Sequence, residues 1–170
     1  MSPMLTDAFA HHAWATERII EACAKLSDEQ LATSAIGTRG PIVETLRHLV
    51  HSDHWYLSFF TERSALTNDE VDAMSFDQLR STFVANAATW LVVVAEERDP
   101  DREIVEHDEG WTVHSPVGVR LAQVVHHGTD HRSQICTALT SLGIEPPDID
   151  VWAFARASGR ERADPPDDHR

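Results

Sequence analysis

Two histidines four residues apart, His127 and His131, have the spacing of a helical metal-binding pair. Residues at this spacing project from successive turns of one helix face, so two imidazoles can bind one divalent ion. A third imidazole from another helix would complete a site with open positions for water. His48 is a candidate because, at about 100° per residue, it falls beyond the polar arc of its helix and faces the bundle.

The pair is weak evidence by itself because the chain is rich in histidine. Eleven histidines among 170 residues give roughly 0.7 pairs at spacing four by random placement. A zinc protease with a His-Glu-x-x-His motif is disfavoured, since Gly128 stands where that motif has its glutamate. Helical periodicity places His51, His54 and His126 on outward faces.

Four further polar side chains fall on or near apolar faces. His12 lies within the apolar stripe of the first helix and is either a hydrogen-bonded core residue or an acid, base or fourth ligand at the metal. Asp53 and Arg132 lie in apolar arcs, where we expect them to pair with each other and orient the metal-bearing helices. Gln134 lies near the His127 and His131 pair and is expected to contact metal-bound water or a substrate.

The elements that position these residues are predominantly helical. Apolar residues at steps of three and four predict four long amphipathic helices with polar connections. We predict the four long helices over Leu5 to Leu26, Pro41 to about Glu62, Ser75 to the break at Asp99-Pro100-Asp101, and Ser115-Pro116 to about Leu142. Between and after them we predict a short turn after Ser27, an acidic linker from Asn68 to Asp72, a hairpin within Glu103 to His114, and a short helix over Asp150 to Ala157.

The predicted fold class is therefore all-α: a four-helix bundle with a small β-hairpin before the last long helix and a short C-terminal helix. Residues 1–158 form one domain, and residues 159–170 form a frayed tail. The net charge of −14 disfavours nucleic acid and anionic membrane surfaces as partners. Cys23 and Cys136 form no metal or redox motif, and we expect a cytoplasmic protein.

Four segments of the chain form a recognisable set in this order. They are His11-His12-Ala13-Trp14-Ala15, Thr45-Leu46-Arg47-His48-Leu49-Val50-His51-Ser52-Asp53, His127-Gly128-Thr129-Asp130-His131-Arg132-Ser133-Gln134-Ile135 and Leu142-Gly143-Ile144-Glu145-Pro146-Pro147-Asp148. Together they resemble the DinB/YfiT-like family, and the resemblance covers nearly the whole chain, from Phe9 to Trp152. Two departures are His12, where asparagine is common, and Ser133, where glycine is common.

The resemblance implies a four-helix bundle that holds one divalent metal ion through His48, His127 and His131. Imidazole ligands suit several ions, and zinc or nickel is our prediction. It also implies a homodimer and a relation to transferases that add mycothiol, bacillithiol or glutathione to a small electrophile, with the thiol as co-substrate. His12 and Gln134 are the candidates for proton or substrate handling. Two alternatives stay open: a metal-dependent hydrolase of a small ester or amide, and a non-catalytic metal-binding dimeric bundle.

Overall fold

A computed structural model describes residues 3–108 and 110–164, with the side chains of the first two of these left out. Within that part of the chain the polypeptide forms seven helices and one two-stranded sheet. In chain order the elements are α1 (Pro3–Cys23), α2 (Asp28–Leu31), α3 (Ile42–Ser58), α4 (Asn68–Asp72), α5 (Phe76–Glu96), β1 (Glu103–Asp108), β2 (Trp111–Pro116), α6 (Val117–Ser141) and α7 (Val151–Ala157).

The four long helices α1, α3, α5 and α6 form the predicted bundle. Helix α1 packs against α5 and α6, and α3 packs against the same two helices from the other side, so α1 and α3 lie diagonally. Strands β1 and β2 pair antiparallel from Glu103 opposite Pro116 to Asp108 opposite Trp111. The all-α bundle, the hairpin before the last long helix and the short C-terminal helix are thus confirmed.

A polar layer crosses the bundle between two separate apolar clusters. One cluster surrounds Phe83 and Leu46 near the α1–α2 end, and the other surrounds Trp90 and Leu121 near the hairpin. Between them each long helix contributes a buried polar side chain. These are His12 and Thr16 from α1, Asp53 from α3, Asn86 from α5, and His131 and Arg132 from α6. Unpaired buried polar groups are costly. Each of these residues makes at least one side-chain hydrogen bond, but Asp53 Oδ2 and Asn86 Nδ2 have no partner among the described residues.

Two of the predicted boundaries are wrong. The predicted linker from Asn68 to Asp72 is helix α4, which starts because Thr67 and Glu70 form a capping box. Helix α3 ends at Ser58 rather than near Glu62. The segment that follows turns back, and the Leu66 carbonyl accepts a hydrogen bond from His51 Nε2.

The segment after α7 is exposed and has no helix or strand from Arg160 to Asp164. Arg160 pairs with Asp7 on α1. The rest of the predicted frayed tail, residues 165–170, lies outside the described residues. Over the described ranges, none of the helices combines the length and the apolar character needed to span a bilayer.

Candidate metal centre

Three histidines from two helices converge at one end of the polar layer. His48 lies on α3, and His127 and His131 lie one turn apart on α6. The Nε2 atom of His127 is 3.1 Å from Nε2 of His48 and 3.1 Å from Nε2 of His131. One ring nitrogen from each residue can be chosen so that all three lie within 4.8 Å of one another.

This spacing fits a single metal ion. Two imidazole nitrogens bound to one zinc ion at about 2.0–2.1 Å are separated by about 2.8–3.0 Å as adjacent octahedral ligands and by about 3.3–3.4 Å in tetrahedral geometry. The two Nε2 separations of 3.1 Å lie between these values. Three imidazoles leave at least one coordination position for water or substrate, which is typical of catalytic rather than structural zinc sites.

The hydrogen bonds of His131 fix which nitrogen faces the other rings. Its Nδ1 lies 3.2 Å from Gln134 Oε1, and the same oxygen accepts the Arg39 backbone N–H at 3.0 Å. Nδ1 of His131 must therefore carry the hydrogen, which leaves the Nε2 lone pair directed at His127. A ligating histidine commonly donates its other ring N–H in this way.

A positive charge between the rings would stabilise the close Nε2 contacts. A neutral His127 can place one hydrogen on Nε2, and that hydrogen serves at most one of its two neighbours well. Lone pairs facing each other at 3.1 Å otherwise repel. A cation that accepts a lone pair from each ring satisfies all three residues, so the donor set fits a divalent metal.

Burial keeps the three imidazoles neutral at pH 7. Loss of hydration on burial is the main cause that lowers the pKa of His48 to about 3, with Arg39 and the other histidines adding to it. Burial also lowers the pKa of His127 to about 4 and lowers that of His131, against the raising effect of Gln134. Neutral imidazole is the form that binds metal, so little proton release need accompany binding near pH 7.

His12 lies between Asp53 and Arg132, which do not form the direct pair predicted from the sequence. His12 Nε2 donates to Asp53 Oδ1 at 3.0 Å, and Arg132 donates to His12 Nδ1 at 3.0 Å. The Trp90 indole N–H donates to the same Asp53 oxygen. The prediction of a direct pair was wrong because the imidazole fills the space between the two charges.

This buried network balances its charges while engaging both nitrogens of His12. All three residues are at most 2 % exposed. Burial lowers the pKa of Arg132 to about 10, so the guanidinium stays charged at neutral pH and offsets the Asp53 carboxylate. His12 thus has no free ring nitrogen for a ligand or proton in this arrangement.

Gly128 lies on α6 between His127 and His131, which together with His48 form the histidine triad. Because it has no side chain, the His12 ring can approach the backbone of α6 there. A Cβ built at Gly128 would lie 2.4 Å from His12 Cε1 and 2.8 Å from Arg132 Nη1. Both neighbours are held by buried hydrogen bonds and have little room to move. The glycine is therefore required by packing, although it sits inside a helix.

Replacing Gly128 by alanine is expected to destabilise the protein by about 1–3 kcal/mol, as overpacking of a core does. In an open helix the same change would stabilise by about 1 kcal/mol. Urea denaturation measures the free energy of unfolding and shows whether Gly128→Ala destabilises or stabilises the protein. Thr129→Ala, at an exposed neighbour whose hydroxyl accepts one Arg132 hydrogen bond, serves as the milder comparison, and a more stable Gly128→Ala would contradict the packing described.

A cavity of about 470 Å³ opens beside His48. Its walls come from the loop before α3, from α3 itself and from α4. The lining residues are Arg39, Glu44, Arg47, His48, His51, Asn68, Val71 and Asp72. This size lies within the range of small-molecule sites, about 300–1,000 Å³.

Two of the histidines predicted to face outward are covered instead. His51 is half-buried, lines the cavity and donates to Leu66. The ring nitrogens of His54 lie 3.0 Å from Asn86 Oδ1 and 3.2 Å from the Ser64 carbonyl oxygen. The predictions were wrong because the segment after α3 folds over that face. His126 is exposed as predicted.

Sequence reasoning missed Arg39, Arg47 and the contact of Trp90 with Asp53. Arg47 precedes His48 and lies on the polar arc of α3, which predicted only a solvated charge. Arg39 lies in a loop, where no periodic pattern indicates which way its side chain points. The proximity of Arg47 to a candidate ligand was the one available signal.

The model of the DinB family matches residues 1–165. A search of curated proteins finds no match to the chain.

Proposed function

The chain belongs to the DinB family, and from this premise we propose that it is a metal-dependent enzyme that transfers a low-molecular-weight thiol to a small electrophile. The observation that carries the proposal is that Nε2 of His127 lies 3.1 Å from Nε2 of both His48 and His131, beside an open cavity. We propose His48, His127 and His131 as the ligands of one divalent ion, zinc or nickel.

A divalent ion held by three neutral imidazoles keeps its full positive charge and would lower the pKa of a thiol that coordinates it. The protein supplies the three donors, the polar layer that orients them and a cavity that admits a small molecule. In the transfer the thiolate sulfur forms a bond to an electrophilic carbon of the substrate. With a halide, the leaving group departs with the electron pair of the broken bond, and the thiol proton passes to solvent. With an epoxide or an unsaturated carbonyl compound, the electron pair stays on the product as an alkoxide or enolate, which takes up a proton in place of the one that the thiol released.

His12 and Gln134 have different proposed roles in this account. His12 is a positioning residue because both of its nitrogens are engaged and it packs on Gly128 between two ligands. Gln134 holds the tautomer of His131 through Oε1. Its predicted contact with substrate or metal-bound water stays a prediction, and its amide nitrogen is the group that would make that contact.

Replacing Gln134 by leucine is expected to weaken metal binding by about 10–100-fold, the usual effect of removing a group that orients a ligand. The leucine keeps the bulk but removes the acceptor for His131 Nδ1. Competition of the protein with a chromophoric chelator for zinc measures the affinity. Gln123→Leu, a change on the same helix that removes a donor to Tyr56, is the control, and equal losses in both variants would contradict the role of Gln134.

The test of the proposed function is thiol consumption by zinc- or nickel-loaded protein. Mycothiol, bacillithiol and glutathione are each offered with a panel of alkyl halides, epoxides and unsaturated carbonyl compounds. We expect one thiol to be consumed faster than without protein, and the excess rate to vanish in His131→Ala. No excess rate with any thiol would overturn the transferase proposal.

The same experiment separates the alternatives. Turnover of small esters or amides without thiol, lost in His131→Ala, would favour a hydrolase. Tight metal binding without any turnover would favour the non-catalytic bundle. The homodimer and the cytoplasmic location stay predictions, and sedimentation of the purified chain tests the first of them.

A further inference from the structure

The cavity beside His48 has two arginines in its wall that lack anionic partners. Arg39 and Arg47 both line it, and His48 lines it too. No ion pair within 4.0 Å joins either guanidinium to an acidic residue of the described chain. Guanidinium groups bind carboxylates and phosphates through paired hydrogen bonds, so two of them in one cavity favour an anionic ligand.

Arg47 has a specific hydrogen-bond deficit. Its Nε is buried and has no acceptor among the described residues. A buried donor without a partner destabilises a protein, and a ligand oxygen would relieve that cost. The side chain extends from α3 next to His48, so an anion bound there would lie beside the triad.

Arg39 is held near the triad by its backbone. Its N–H donates to Gln134 Oε1, the oxygen that also accepts from His131 Nδ1. The Arg39 side chain is exposed and lines the cavity. The cavity wall therefore offers one buried donor, Arg47 Nε, and one exposed guanidinium, that of Arg39.

The remaining charges of the wall limit the charge of the ligand. Glu44 and Asp72 also line the cavity, so two positive and two negative groups surround it. A ligand with one carboxylate brings a single negative charge, which the two arginines can offset in the presence of the two acids. A phosphate dianion would carry more negative charge towards the same acids and is disfavoured.

We propose that Arg39 and Arg47 bind the single carboxylate of a small substrate or co-substrate in the cavity beside His48. This placement would direct the rest of the molecule towards the three imidazoles, so a carboxylate-bearing thiol is the simplest ligand. The inference rests on the proposed function for the metal. What it adds is that the molecule bound in the cavity carries one carboxylate.

The test compares N-acetylcysteine with its methyl ester, which has the same thiol and lacks the carboxylate. Dissociation constants are measured by calorimetry on zinc-loaded protein, with the zinc content determined before and after. We expect the acid to bind at least about tenfold more tightly than the ester. In Arg47→Met and in Arg39→Met, the ratio of the ester to the acid dissociation constant should fall towards one, while ester binding and zinc content stay unchanged. Arg63→Met, at an exposed residue outside the cavity, should retain the wild-type ratio.

The outcomes separate the two proposals. Equal affinities for acid and ester in zinc-loaded wild type, or an unchanged preference in the Arg39→Met/Arg47→Met double variant, overturn the carboxylate site and leave the metal site standing. Stronger competition by inorganic phosphate than by N-acetylcysteine overturns the carboxylate as the ligand class. Failure of the wild type to retain zinc overturns the proposed function instead.

Discussion

Replacing Asp53 by alanine is expected to lower the free energy of unfolding by about 3–5 kcal/mol, the usual effect of removing one partner from a buried charge network. The carboxylate is 2 % exposed and accepts hydrogen bonds from His12 and from the Trp90 indole. Without it, two buried donors lose their acceptor. The Arg132 guanidinium also loses the negative charge that offsets it in the layer.

Urea denaturation followed by circular dichroism measures this change. Asp53→Asn keeps one acceptor oxygen and removes the charge, so its loss should be smaller. Asp130→Ala on the exposed face of α6 should change stability by no more than about 0.5 kcal/mol. A loss below about 1 kcal/mol in Asp53→Ala would contradict the network.

Replacing His48 by alanine is expected to weaken zinc or nickel binding more than about 100-fold, beyond the effect of removing an orienting group. His48 is the ligand candidate from α3, so its loss leaves two imidazoles on a single helix. The fold should persist because the side chain is only half-buried and its ring nitrogens contact only His127 and, at 3.5 Å, Ser52. Chelator competition gives the affinity, and circular dichroism gives the helix content.

His126→Ala is the matched control for this prediction. His126 precedes His127 on α6 and is exposed, so its removal should leave the metal affinity within about twofold. Equal affinities of wild type and His48→Ala would contradict the triad. Equal losses in His48→Ala and His126→Ala would indicate a surface site elsewhere.

The long helices and the histidine cluster could be predicted from the sequence because both follow helical periodicity. The apolar steps along α1, α3, α5 and α6 fixed which faces are buried, and the spacing of His127 and His131 placed them one turn apart. The inward position of His48 follows from the same argument. The hairpin and α7 also followed from local signals, a turn between short apolar segments and a cap at Asp150.

What could not be predicted depends on contacts between distant segments. Periodicity placed Asp53 and Arg132 on inner faces, but it could not show that the His12 ring would lie between them. The cover over His51 and His54 arises from a loop whose path no periodic pattern fixes. Helix α4 did have a local signal, the capping box of Thr67 and Glu70, which the acidic composition of the segment obscured.

The polar layer explains why a bundle with two apolar clusters contains so many buried charged and polar side chains. Each long helix contributes to it, and its hydrogen bonds link α1, α3 and α6 through His12. The hydrogen bonds of His12 to Asp53 and Arg132 therefore connect α3 and α6, the two helices that carry the three histidines.

The central claim, one divalent ion held by three histidines, is tested most directly by elemental analysis of the wild-type protein. The protein is equilibrated with a small excess of zinc or nickel, desalted and analysed for metal and protein together. We predict a content close to one ion per chain. A content near zero for every divalent metal offered would contradict the account.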